Sequence, residues 1–225
     1  GVYPLVRGMY NKRKDKIDAF GWNNEFNFGS VKLVADLNYS KATRDELNLE
    51  NNLQLTPMPQ LDTVGVQIRQ NGFSQISPGL NYSNPDALFL TNTIYGSGYG
   101  KVPKVEDRLK GGKLAATIAL PEAMASWAPD LDIGVNYADR RKVKTQSEGN
   151  ILLGAQGDAN IAADLQYDPV NLGFAGLGTI PAWNVPAAVA RYMTFDPVDN
   201  LDYLIPKSWT VQEKITTAWA RLNIN

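Results

Sequence analysis

Residues 17–40, IDAFGWNNEFNFGSVKLVADLNYS, decide how this chain is read. Phe20, Trp22, Phe26 and Phe28 recur at every second position, with Asn24 the polar member of that set, while Ala19, Gly21, Asn23, Glu25 and Asn27 fill the alternate positions. A period of two puts the first set on one face of a strand and the second on the other. After Gly29-Ser30 the pattern resumes, with Val31, Leu33, Ala35, Leu37 and Tyr39 set against Lys32, Val34, Asp36, Asn38 and Ser40. Two alternating runs joined by two residues, the first a glycine, predict a tight antiparallel hairpin.

Working outward, the same layout returns at 113–120 and 131–137. Leu114, Ala116, Ile118 and Leu120 alternate with small and polar residues, PEAMASWAPD connects, and Leu131, Ile133, Val135 and Tyr137 alternate with Asp132, Gly134 and Asn136. A last strand is expected in WTVQEKITTAWARLNIN, residues 209–225, where the apolar set changes phase between Thr216 and Trp219 and so suggests a bulge. The other connections, 43–107 and 141–208, are rich in Asn, Asp, Gly and Pro and read as long surface loops. Within the second, AAVARYM after Pro186 predicts a short helix.

Composition narrows the function. The 225 residues are 44% hydrophobic, enough for a folded core, and 19 Gly, 13 Pro and 10% aromatic content favour strands and loops. With His 0 and Cys 0, histidine bases, Ser-His-Asp and Cys-His nucleophile systems, disulfides, thiolate zinc and histidine metal sites are all excluded. A net charge of -1 gives no footprint for nucleic acid. No apolar run reaches transmembrane-helix length, whereas membrane strands that alternate a lipid face with a lumen face need none, and a mean hydropathy of -0.28 is compatible with them. Short turns at one end, long loops at the other and alternating strands with aromatic ends fit either an outer-membrane barrel or a soluble sandwich.

Residues 10–52, YNKRKDKIDAFGWNNEFNFGSVKLVADLNYSKATRDELNLENN, resemble the β-barrel domain of TonB-dependent receptors of Gram-negative bacteria. The likeness lies in the style of hairpin and loop entry, and it extends more weakly over 113–140 and 209–225. It implies an all-β fold, an antiparallel transmembrane barrel segment within a barrel of about 22 strands. It further implies an outer-membrane location and TonB-energised uptake of a scarce solute such as a siderophore, cobalamin or an oligosaccharide. The partners would be that solute, outer-membrane lipid and the TonB complex, reached through a plug domain. Neither a plug nor a TonB-box segment is found in 1–225, and the end at Ile224-Asn225 lacks a terminal aromatic. The expectation is therefore an internal piece of the barrel. A soluble extracellular β-sandwich acting as a carbohydrate-binding or adhesion module is the competing reading, with a passive porin as a third.

No enzyme, cofactor or metal is expected. KRKDK at 12–16 reads as a solvated strand end near the membrane surface, and Glu25, Asp36 and Asp132 read as lumen-facing carboxylates rather than an acid-base pair. GSGYG at 96–100 lacks the context of a phosphate loop and reads as a flexible loop. Asp196, Asp199 and Asp202 miss the calcium-loop spacing. The best ligand signal is aromatic. Trp183, Tyr203, Tyr95, Tyr99 and Tyr192 lie in polar connections, where exposed rings can stack on a sugar or a flat chelate. Trp183 leads because Pro181 and Pro186 stiffen its backbone, the alternative being that it packs beneath its own loop.

Overall fold

The predicted hairpin forms. Strands β1 (Val6–Phe28) and β2 (Val31–Gln54) pair across Gly29-Ser30. Gly29 takes φ +61° there, in the left-handed region that glycine enters without a steric penalty. The computed structural model describes residues 1–55, 60–198 and 201–224. Next come the short strands β3 (Gly65–Gln67), β4 (Gln75–Ser77) and β5 (Phe89–Leu90), then β6 (Gly98–Ala119), the one-turn helix α1 (Glu122–Ala125) and β7 (Asp130–Leu153). They are followed by β8 (Ala159–Asn160), β9 (Gln166–Asn171), β10 (Thr179–Trp183), the helix α2 (Val185–Tyr192), β11 (Met193–Pro197) and β12 (Trp209–Asn223). The protein is all-β and mostly antiparallel.

Two compact units divide the chain. The hairpin unit comprises Lys14–Asp45, Lys104–Thr145 and Asp202–Asn225. It holds one sheet in the order β1-β2-β6-β7-β12. β12 pairs with β7 in one unbroken register, from Trp209 opposite Lys144 to Asn223 opposite Asp130. The expected bulge at 216–219 is therefore absent. The apolar set changes face because Trp219 sits on the polar side, its indole lying over Gly134, the residue directly opposite. A Cβ at Gly134 would come within 2.5 Å of that ring, so the glycine makes room for the tryptophan and the register stays intact.

The two faces of this sheet differ sharply. On one, Trp22, Leu37, Leu114, Val135 and Tyr137 line a shallow apolar groove across four strands. Phe20 and Phe28, which share the face of Trp22 by the two-residue period, are 66% and 64% exposed. On the other face polar groups join neighbouring strands. Lys32 pairs with Glu25 at 2.9 Å, Asn23 donates to Asp36 at 3.2 Å, and Arg221 Nε donates to Asp132 at 2.9 Å. Thr117 and Asn223 also donate to Asp132, which is buried.

The loop unit comprises Gly1–Arg13, Glu46–Pro103 and Gln146–Leu201. Its core gathers Leu53, Leu88, Leu90, Ile151, Trp183 and Ala188. Burying each large apolar side chain contributes about 1.5 to 3 kcal/mol. β5 sits between β2 and β8, with Leu90 opposite both Leu53 and Ala159. β11 zips onto β7 from Met193 opposite Leu153 to Pro197 opposite Gly149. The predicted short helix is α2. Asn184 caps it by accepting from Ala187 N at 3.2 Å, Pro186 occupies its first turn, and Arg191 closes its last turn in a two-pronged pair with Asp164 at 2.8 and 2.7 Å.

Several expected boundaries move. Residues 43–54, 98–107 and 141–153, expected in long loops, are strand. The continued alternation of Leu47, Leu49 and Leu53 with Asn48, Glu50 and Asn52 explains the first of these extensions. GSGYG is not a flexible loop, since Gly98–Gly100 opens β6 and a Cβ at Gly98 would lie 2.5 Å from the Glu50 carbonyl oxygen. Glycine is needed because the neighbouring backbone approaches so closely. KRKDK lies inside β1 rather than at a strand end, and its Asp15 pairs with Arg44 at 2.7 Å.

Candidate functional site

Three strands of the loop unit build a cleft of about 250 Å³. β1 brings Met9, Tyr10 and Asn11, β2 brings Asn48, Leu49 and Glu50, and β6 brings Tyr99 and Lys101. Asn11 donates to Asn48 across the β1–β2 pair, fixing the two amides at one wall. Glu50 is held by Arg7 at 3.7 Å, and Arg7 also donates to Asn52 at 3.2 Å, so the carboxylate is positioned and still half-buried at the cleft. Tyr10 and Leu49 pack against the core behind it. The lining thus combines two phenol rings and two aliphatic side chains with two amides, a carboxylate and an ammonium. Rings supply flat apolar contact while amides and charges fix orientation, which is the chemistry that holds a polyhydroxylated ring. The volume suits one ring or one moiety of a larger solute.

The five aromatic residues singled out in the sequence have different surroundings. Tyr99 lines the cleft. Tyr95 is 61% exposed on a tight turn, its amide donating to Thr93 Oγ1 at 3.0 Å and Gly96 closing the turn at φ +81°. Tyr192 ends α2, accepts from the Ala162 amide at 3.2 Å, and has the Arg191 guanidinium 5.9 Å from its ring centre. Tyr203, in the hairpin unit, is exposed with Lys207 4.7 Å from its ring centre. Trp183 is 7% exposed, lies against Gly8 and donates from Nε1 to Asn51 Oδ1 at 3.1 Å. Trp183 is thus buried against β1 and β2 rather than beneath its own loop.

No protein-family model, curated protein or solved structure matches this chain.

Tyr10, Asn48, Glu50 and Lys101 were not anticipated from sequence. Their signal lay in the unfinished alternation of β2, which would have carried Asn48 and Glu50 into a strand beside Tyr10. Glu25, Asp36 and Asp132 take the polar face of the hairpin-unit sheet, each with a cross-strand partner. Among the described residues no group of three or more Asp, Glu, His or Cys could hold a metal ion. Asp196 lies on β11, whereas Asp199 falls outside the described residues. No helix among the described residues is long and apolar enough to cross a membrane, which has no bearing on strands.

In the loop unit, Asp62 organises the chain near its start. Burial works against its charge, yet the Tyr82 hydroxyl, donating at 2.8 Å, and the amides of Leu80, Thr63 and Gly79 outweigh that effect and hold its pKa below the ordinary carboxylate range. The same contact pushes the Tyr82 hydroxyl up, burial being the larger cause and Asp62 the second.

Proposed function

We propose that this chain is a stretch of the β-barrel of an outer-membrane, TonB-dependent receptor that captures a scarce solute, and that the Tyr10–Tyr99 cleft contributes to capture. The observation that carries the reading is the polarity of the hairpin-unit sheet. A soluble sheet hides its apolar face and wets its polar one. Here the face bearing Trp22, Leu37, Val135 and Tyr137 is open, while the opposite face is knitted by Glu25–Lys32, Asn23–Asp36 and Arg221–Asp132. Lipid outside and a polar lumen inside account for both. The apolar run from Val31 to Tyr39 on β2 covers nine residues, matching the span of a tilted membrane strand.

The soluble sandwich needs a second sheet over the apolar face, and the described residues of the hairpin unit contain a single sheet. The cleft favours a ring with hydroxyls and also accommodates one edge of a chelate, so the solute belongs to one of these two classes. The test is assembly of Leu33→Lys against Asp36→Lys receptors in outer membranes. Lysine on the lipid face should cost about 2 to 4 kcal/mol and lysine on the lumen face far less. Equal loss in the two variants would reject the assignment of faces and with it the barrel.

A further inference from the structure

The apolar face of the hairpin-unit sheet stops abruptly, and the surface beyond it is basic. Two and four residues beyond Tyr137 on β7 stand Asp139 and Arg141, and the same period leads from Tyr39 to Lys41 on β2 and from Gly112 back to Lys110 and Arg108 on β6. The parity is anchored by contact, since Gly112 lies against Leu37, one of the apolar set. On β12, Lys214 pairs directly with Asp139. Arg108, Lys110, Asp139, Arg141 and Gln212 together line one cleft.

The charges inside this collar are unequal. Glu106 is engaged by Lys41 and Arg108, each at 2.9 Å, and Asp139 accepts from Gln212 at 2.9 Å. Arg141 adds its charge to those already acting on Glu106, and Lys110 lines the same cleft as Arg108 and Arg141. Five cations thus face two carboxylates, both already partnered, and they do so at the border where exposed apolar side chains end. The border lies at the end of the apolar face away from Gly29-Ser30 and α1.

We propose that this cluster binds the phosphate of an anionic lipid whose acyl chains lie on the adjoining apolar face. The proposal rests on the barrel reading above. An excess of ammonium and guanidinium groups beside a lipid-sized apolar surface is matched by a molecule carrying phosphate at one end and hydrocarbon at the other. Free phosphate satisfies the first half of that description only.

The full chain is offered phosphatidylcholine vesicles with and without phosphatidic acid, and its partitioning into each is measured. Protease protection of the segment around Leu33 reports insertion. Each cation near an anionic surface contributes about fivefold, so Lys110→Gln/Arg141→Gln should lose about 30-fold of the preference for phosphatidic acid. Lys142→Gln/Lys144→Gln removes the same charge from the opposite face and should lose much less. Insertion with no lipid preference, or equal loss in the two double variants, overturns the lipid site and leaves the barrel standing. Binding of inorganic phosphate at Lys110 and Arg141 without any vesicle preference assigns the cluster to a free anion and overturns it as well. Failure to insert into either vesicle removes both readings together.

Discussion

Trp183 joins the core of the loop unit to β1 and β2. Its ring fills the space beside Gly8, and its indole N–H is the donor to buried Asn51. Trp183→Ala should therefore destabilise the loop unit by about 3 to 5 kcal/mol through the cavity alone, with a further loss from the abandoned Asn51 oxygen. Trp183→Phe should recover the packing but not the hydrogen bond. Thermal unfolding of the two variants checks the order, and solute affinity should change only as far as the fold is lost. The residue illustrates what sequence hides. Its position among prolines in a polar connection was legible, but burial depends on Asn51, 132 residues away, which no local pattern reports. Asp62 ties stability to pH. Because its folded pKa is depressed, its contribution is present above the ordinary carboxylate range and is lost as the pH falls through the lower, folded value. The amides of Gly79 and Leu80, which donate to it, should lose exchange protection in that acid window, and Asp62→Asn should abolish the pH dependence.

At the scale of elements, α2 offers a clean test because its signals are local. The Asn184 cap can be removed without touching the core, so Asn184→Ala should cost about 1 kcal/mol, read as a lower unfolding midpoint with α2 still formed in the folded state. That helix was legible from Pro186 and the apolar run after it. So were the hairpin, from Gly29-Ser30 and strict alternation on both sides, and the β6–β7 pair with its connection across 121–129. The ends of the strands were less so. On β2 the leucine alternation runs on through Leu53, but the charged residues Lys41, Arg44, Asp45 and Glu46 obscure it. On β12 the change of apolar phase looked like an extra residue and is instead one tryptophan covering a glycine across the sheet. Tyr99 of the cleft was legible as an aromatic residue, whereas Tyr10 and Glu50 join it only once β1 and β2 extend beyond their apolar portions.

For the molecule as a whole, the proposed membrane setting fixes a direction. Gly29-Ser30 and the 121–129 connection should face the periplasm, and the turn bearing Tyr95 should face outward. Residues 1–225 contain no cysteine, so none of them competes with an engineered one for the label. In whole cells an impermeant thiol reagent should modify Tyr95→Cys and spare Ser30→Cys, and the reverse pattern would turn the assignment around. The hairpin-unit sheet has a further property. Its outermost strands, β1 and β12, are each paired on one side only among the described residues. In a polymer chemist's terms it is a bifunctional unit, with one open edge at each side among the described residues. In the proposed barrel neighbouring strands of the receptor take both edges; a sheet excised from it would instead add copies head to tail, closing into rings or lengthening into fibres according to the turn each one contributes. Prolines along β12 would block that edge, and head-to-tail assembly of the excised sheet, followed against concentration, should then stop at the monomer.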